Sequence, residues 1–86
     1  MRLTLTTLRG GTVWDEEAPE GAAEIIARHI PGGRPLAVFH GEAASRVAGA
    51  ILRDLLALPP SPKLMVLMTH LQTIERREQS RIVILR

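Results

Sequence analysis

Cysteine is absent from this chain of 86 residues. A chain without cysteine forms no disulfide bond and offers no thiolate ligand to a metal. The three histidines, His29, His40 and His70, lack the short spacings that build a zinc site. A domain of this length has a small core, and hydrophobic residues make up 45% of the chain. We therefore expect a partner surface, with a homodimer as the simplest form.

Aromatic residues are also scarce. The chain has no tyrosine, and Trp14 and Phe39 are its only tryptophan and phenylalanine. Proteins that bind single-stranded nucleic acid commonly stack the bases on several exposed rings. The composition therefore argues against a stacking surface on a sheet. We expect Phe39 to lie in the core and Trp14 to cover the edge of the core or to form a dimer contact.

Long apolar runs and cofactor motifs are missing as well. No run approaches the roughly 18 to 20 apolar residues of a membrane span, and residues 1–4 alternate polar and apolar side chains. These features predict a cytoplasmic protein without a membrane partner. No Walker, dinucleotide-binding or paired-carboxylate motif is present. We therefore predict no cofactor and no enzymatic activity.

The apolar pattern predicts one domain over residues 1–86. Alternation and short apolar runs indicate strands, and apolar spacings of three and four residues indicate helices. In chain order the predicted elements are a strand at 2–8, a helix at 19–30, a strand at 35–39, a helix from Glu42 to the prolines at 59, 60 and 62, and strands at 64–68 and 82–85. This β-α-β-α-β-β order predicts an α+β two-layer sandwich, with a four-stranded mixed sheet and two helices on one face.

The most informative segment is residues 63–86. The strands predicted at 64–68 and 82–85 flank a polar stretch at 72–80, and together they predict a long β-hairpin with a basic tip. This segment has five Lys/Arg against two Glu, whereas residues 1–62 have six Arg against seven Asp/Glu. Because long cationic side chains reach phosphates readily, the hairpin indicates nucleic-acid binding. A charged tip can also serve only to protect edge strands from aggregation.

The start of the second predicted helix allows two further interpretations. His40, Glu42 and Ser45 are a local cluster of the types used in nucleophilic catalysis, which requires a nucleophile, a base and an acid to converge. We favour a structural role, in which Glu42 matches the positive end of the helix dipole. The same helix start could bind a phosphate through its free N–H groups, with Arg46 one turn inside, although Glu42 competes for that position.

Several of these features resemble one known family. They are the segment Gly41-Glu42-Ala43-Ala44-Ser45-Arg46-Val47-Ala48, the helix that continues it, the proline-containing connection, and Gln79-Ser80-Arg81 before the last strand. In this combination, over residues 36–86, the chain resembles the Alba family of chromatin and RNA-binding proteins. The resemblance implies a β-α-β-α-β-β domain that dimerises and straddles duplex nucleic acid, with hairpin arms along the minor groove. It also implies that Arg46 is the basic residue of the second helix and that Arg76, Arg77 and Arg81 belong to the arm.

The same topology occurs in sulfur-carrier proteins and in the C-terminal domain of translation initiation factor 3. Ala18-Pro19-Glu20 looks like the Cys-Pro-x-Pro motif of the sulfur carriers with the cysteine replaced. Sulfur transfer requires a thiol. This resemblance therefore implies at most a degenerate, non-catalytic relative.

The leading hypothesis is a small dimeric protein that contacts the backbone of duplex DNA or RNA. The predicted contact residues are Arg46, Arg76, Arg77 and Arg81, with Arg9 and His70 as weaker candidates. No base-reading residue is identifiable, so the prediction covers DNA and RNA equally. The alternative is a non-catalytic protein-interaction module, such as an adaptor or inhibitor, that uses the acidic end of the first predicted helix and the excess apolar surface.

Overall fold

The computed structural model describes residues 1–7, 9–77 and 79–86. The elements in this part of the chain are β1 (Arg2–Thr6), β2 (Thr12–Glu17), α1 (Ala23–Ala27), β3 (Leu36–His40), α2 (Gly41–Leu55), α3 (Pro62–Glu75) and β4 (Arg81–Leu85). The strands form one sheet in the order β2-β1-β4-β3, and every neighbouring pair is antiparallel. The predicted α+β class is confirmed. The predictions of a mixed sheet and of two helices were wrong, because the described residues form an antiparallel sheet and three helices.

Four of the predicted elements lie where the sequence placed them. β1 covers most of the strand predicted at 2–8, of which residue 8 lies outside the described residues. β3 and β4 match the strands predicted at 35–39 and 82–85, and α2 is the helix predicted from Glu42. The helix predicted at 19–30 is regular only at Ala23–Ala27. Turns flank it, and Gly21 before it has a φ of 83°, a conformation that helices do not use.

Residues 12–17 precede the helix predicted at 19–30, to whose acidic end Asp15, Glu16 and Glu17 were assigned, and they form the edge strand β2 instead. Trp14 points inward, opposite Leu5, and is buried in the core, as expected for a side chain that covers the edge of the core. Asp15 stands opposite Thr4 on the outer face and accepts hydrogen bonds from Arg2 Nε and Thr4 Oγ1 at 2.9 and 3.1 Å. These cross-strand partners stabilise a strand that its own composition disfavours.

The predicted C-terminal hairpin was wrong. The strand predicted at 64–68 and the first part of the predicted tip, 72–75, belong to α3 (Pro62–Glu75), so β4 pairs with β1 and β3 rather than with a hairpin partner. Ser61 begins the helix by accepting the Leu64 N–H at 3.3 Å, and Pro62 occupies the first turn, where its missing N–H has no cost.

The buried residues of α3 have helical rather than alternating spacing. Leu64, Leu67, Leu71 and Ile74 are buried, whereas Met65 and Val66 between them are 51% and 50% exposed. The short apolar run 64–68 therefore contains two core positions and the start of a helical face. A run of this length fits a buried strand equally well, which is why it was misread.

All three helices of the described chain cover one face of the sheet. Leu3 and Leu5 of β1 lie opposite Ile84 and Ile82 of β4, and all four side chains are fully buried. The helices pack on this face through their apolar residues, which join those of the sheet in one core. Within the described residues, no helix combines the length and the apolar character that crossing a membrane requires.

Candidate nucleic-acid interface

Most of the predicted contact residues lie at one end of the molecule. Arg81 lies opposite Thr6 of β1 on one side and His40 of β3 on the other. α2 starts directly after His40, and the Gly41 N–H donates to Ser80 O at 2.9 Å. The ends of β1 and β3 and the starts of α2, β2 and β4 therefore lie together. We call this the basic end.

Two adjoining shallow cavities open at the basic end. The first, of about 460 Å³, lies along the last turns of α3, and the second, of about 370 Å³, lies between α3 and the β1–β2 turn. They share Thr73 and Arg77. The other lining residues are Thr69, Gln72 and Arg76 in the first cavity, and Thr7 and Arg9 in the second. No carboxylate lines either cavity among the described residues.

The β1–β2 turn positions Arg9 beside α3. Thr7 N–H donates to Gly11 O and Gly10 N–H donates to Thr7 O, both at 2.9 Å. Gly10 has a φ of 78°, which side chains other than hydrogen strongly disfavour. The turn is thus closed by backbone hydrogen bonds on both sides of Arg9, and the arginine is exposed at its tip.

The end of α3 positions the other two guanidinium groups of the cavities. Arg76 is the C-terminal cap of α3, and Arg77 N–H donates to Ile74 O at 3.0 Å. The helix C-terminus carries a partial negative charge, which favours guanidinium groups at this position. The preceding carboxylate, that of Glu75, is directed to the other side, against Gly49 of α2. The two arginines therefore present their charges to the cavities without this acidic neighbour.

The donors that the cavities offer come from arginine and glutamine rather than from threonine. Thr69 Oγ1 donates to Met65 O at 2.9 Å, and Thr73 Oγ1 donates to Thr69 O at 3.3 Å. Their hydroxyl protons are therefore engaged with the backbone of α3. The guanidinium groups each carry five N–H donors, and Gln72 adds an amide. This set of donors suits an anion with several acceptor oxygens, such as a phosphate diester.

The six predicted contact residues separate into three groups. Arg9, Arg76 and Arg77 line the cavities. Arg46 and Arg81 are exposed at the basic end without lining a cavity, and α2 is held there because Ser45 Oγ donates to Glu75 O. His70 is half-buried in the middle of α3 and lines neither cavity.

Sequence reasoning missed the polar residues that surround the arginines. Thr69, Thr73 and Arg77 are four residues apart, as are Gln72 and Arg76. On a helix such spacing places each set along one face. Because the segment was predicted to be a hairpin, the residues were not expected to share a face. Residue 78, a glutamate next to Arg77 in the sequence, lies outside the described residues.

The cluster His40, Glu42 and Ser45 does not assemble into a catalytic arrangement. No hydrogen bond joins any two of them within residues 1–7, 9–77 and 79–86, and the Ser45 hydroxyl proton is used by the backbone carbonyl of Glu75. His40 caps α2 without a side-chain hydrogen bond, and Glu42 lies in the first turn. Nor do the described residues contain a group of histidine and carboxylate side chains able to hold a metal.

The acidic side chains of β2 are paired toward the opposite end of the sheet. Arg2 and Asp15 form an ion pair at 2.9 Å, and Lys63 and Glu16 form another at 3.0 Å. The hydrogen bond from Arg2, with a second from Thr4, holds the pKa of Asp15 below its usual range. These carboxylates therefore have their own cations and do not neutralise the basic end.

No family model, curated protein or solved structure matches this chain. The resemblance to the Alba family therefore stays a prediction. The observed order, β-β-α-β-α-α-β, differs from the β-α-β-α-β-β order that the resemblance implies.

Proposed function

We propose that this protein binds the sugar–phosphate backbone of nucleic acid through its basic end. The observation that carries the proposal is the convergence of Arg9, Arg76 and Arg77 on two adjoining cavities that share Arg77. Three guanidinium groups from two separate segments of the chain form one concave cationic surface. Arg46 and Arg81 are exposed at the same end of the molecule.

The mode of contact in this proposal is backbone contact rather than base reading. Guanidinium groups make paired hydrogen bonds to phosphate oxygens, whereas stacking on bases requires exposed aromatic rings. Trp14 is buried and Phe39 is half-buried, so neither ring offers an open face. The cationic surface is shallow and follows α3. We therefore propose duplex binding with little dependence on sequence.

The direct test is fluorescence anisotropy of labelled duplex DNA, duplex RNA and single-stranded RNA, titrated with the protein at low salt. The proposal predicts binding, and Arg76→Ala with Arg77→Ala should weaken it at least tenfold. A matched control is Arg28→Ala with Arg53→Ala, which removes the same charge. Arg53 lies in the last turn of α2, about 18 Å along the helix axis from its start at the basic end. Arg28 belongs to the same region, because His29, its neighbour in the chain, pairs with Asp54 at 3.0 Å.

The two double variants distinguish a specific surface from overall charge. If Arg28 and Arg53 matter as much as Arg76 and Arg77, only net charge is involved and the proposed surface is wrong. Because Arg76 caps α3, thermal unfolding of each variant should accompany the titration, so that lost affinity is not confused with lost structure. Absence of binding to all three nucleic acids at low salt would overturn the proposal.

A second candidate function, protein interaction, is favoured by an apolar groove between the last turn of α2 and the first turns of α3. The groove has a volume of about 200 Å³, and Leu56 and Met65 at its rim are 70% and 51% exposed. Its lining is apolar apart from backbone atoms: Leu55, Leu56, Leu58, Pro60, Leu64, Met65 and Met68. Under this alternative, nucleic acid does not bind at low salt. Leu56→Gln with Met65→Gln, rather than the arginine variants, then abolishes complex formation with a protein partner.

A further inference from the structure

β3 (Leu36–His40) is an edge strand, because it pairs with β4 on one side only. Two hydrogen bonds establish which of its backbone groups are already used. Arg86 N–H donates to Pro35 O, and Gly41 N–H donates to Ser80 O, both at 2.9 Å. Residues 35 and 41 therefore face β4. Because alternate residues of an antiparallel strand face alternate neighbours, the N–H groups of Leu36, Val38 and His40 and the carbonyls of Leu36 and Val38 point outward.

The two edges of this sheet differ in how well they are protected against pairing with a further strand. β2, at the other edge, carries three consecutive acidic residues at 15–17 and an irregularity in its pairing opposite Leu5 and Thr6. Charges and bulges of this kind discourage further strand pairing. β3 has no charged residue, no proline and no irregularity within Leu36–His40. Its edge is therefore open to another strand.

The outer sheet face beside this edge is apolar. Leu36 and Val38 are 45% and 44% exposed, and their cross-strand neighbours on β4 are Leu85, 44% exposed, and the half-buried Val83. The four side chains form one stripe next to the open backbone groups. A strand added to β3 would cover part of this stripe and satisfy the outward N–H and C=O groups at the same time.

We propose that the occupant is β3 of a second copy of this chain, paired antiparallel about a two-fold axis at Val38. This register matches the outward-facing groups, because it places Val38 against Val38 and Leu36 against His40. The same register brings Arg34, two residues before β3, to the end of the partner's β3, where α2 begins and Glu42 lies in its first turn. Both side chains are exposed, and neither forms an ion pair within the described residues. The edge is thus complementary to itself in hydrogen bonding and in charge.

Cysteine scanning tests the register, since the chain contains no cysteine of its own. Hydrogen-bonded antiparallel pairs have Cα atoms about 5.5 Å apart, within the range that a disulfide bridges. Val38→Cys should therefore form a disulfide-linked dimer in high yield under mild oxidation. Leu85→Cys is the matched control, because Leu85 is equally exposed on the same face but lies one strand away from the edge. Equal cross-linking of both variants would overturn the proposed register.

Charge reversal tests the same interface without a covalent bond. In sedimentation equilibrium the wild-type chain should be a dimer, and Arg34→Glu should raise the dimer dissociation constant about tenfold by opposing two acidic residues. Arg34→Glu with Glu42→Arg restores opposite charges and should recover most of the affinity. A wild-type chain that remains monomeric at all concentrations would overturn the proposal, as would a double variant no tighter than the single one. None of these positions lines the cavities of the basic end, so failure here leaves the proposed nucleic-acid binding unaffected.

Discussion

Leu67 and Val66 are adjacent residues of α3 whose truncations should change the stability by very different amounts. Leu67 is fully buried, and Leu67→Ala should destabilise the fold by about 3 kcal/mol, the middle of the range for leucine truncation in a core. Val66 is 50% exposed. Val66→Ala loses little buried area and gains about 0.5 kcal/mol of helix propensity, so its net effect should lie within about 0.5 kcal/mol of zero.

Urea unfolding followed by far-ultraviolet circular dichroism measures both changes. A chain of this length has a total stability of roughly 4 to 13 kcal/mol, so Leu67→Ala should shift the midpoint strongly while a folded baseline remains. The slope of the transition should stay the same, since the surface exposed on unfolding changes little. Val66→Ala should unfold at nearly the wild-type midpoint.

The comparison distinguishes α3 from a strand in the same segment. In a strand, Val66→Ala would remove a favoured β-branched residue and cost up to about 1 kcal/mol. A strand would also bury Leu67 and expose Val66, because its adjacent residues point to opposite faces, so the size of the Val66 effect is the decisive quantity. A loss of about 1 kcal/mol in Val66→Ala would refute the helix and the position of Arg76 and Arg77 derived from it.

Two further predictions concern the start of α3 and the acidic strand. Ser61→Ala removes the side-chain cap of α3 and should lower the free energy of unfolding by about 1 kcal/mol, whereas Ser61→Asp should retain most of it; equal losses in urea unfolding would contradict the capping role. Arg2 lowers the pKa of Asp15, so the ion pair stabilises the fold above the unfolded pKa of about 3.9 and this contribution is lost as the pH falls through the lower folded value. Arg2→Gln should therefore show a shallower loss of thermal stability below about pH 5 than the wild type, and parallel acid profiles would count against it.

The elements that the sequence predicted well are those with a strong local period. α2 has apolar residues at three- and four-residue spacing over its whole length, and apolar and polar residues alternate in β1. The buried face of each element can therefore be identified from its local sequence alone. α3 was misread because residues 64–68 are continuously apolar. Its helical period appears only when Leu71 and Ile74 are included, together with the Ser61-Pro62 start signal.

β2 was missed for a different reason. The acidic residues at 15–17 resemble the start of a helix, and their stabilising partners Arg2 and Lys63 come from distant parts of the sequence. Tertiary contacts of this kind override local propensity. The arginines of the basic end could be chosen from charge alone, but their grouping with Thr73 and Gln72 depends on α3 being a helix. Three of the six predicted contact residues, Arg9, Arg76 and Arg77, line the cavities. The other three, Arg46, Arg81 and His70, do not.

The salt dependence of nucleic-acid binding tests the central claim most directly. Each phosphate neutralised on duplex DNA contributes about 0.9 to the slope of log affinity against log salt concentration. Arg76→Ala with Arg77→Ala should therefore reduce the magnitude of the wild-type slope by about 1.8, while Arg28→Ala with Arg53→Ala leaves it unchanged. A slope that is the same in both double variants, or affinity that does not depend on salt, would contradict the assignment of phosphate contacts to the basic end.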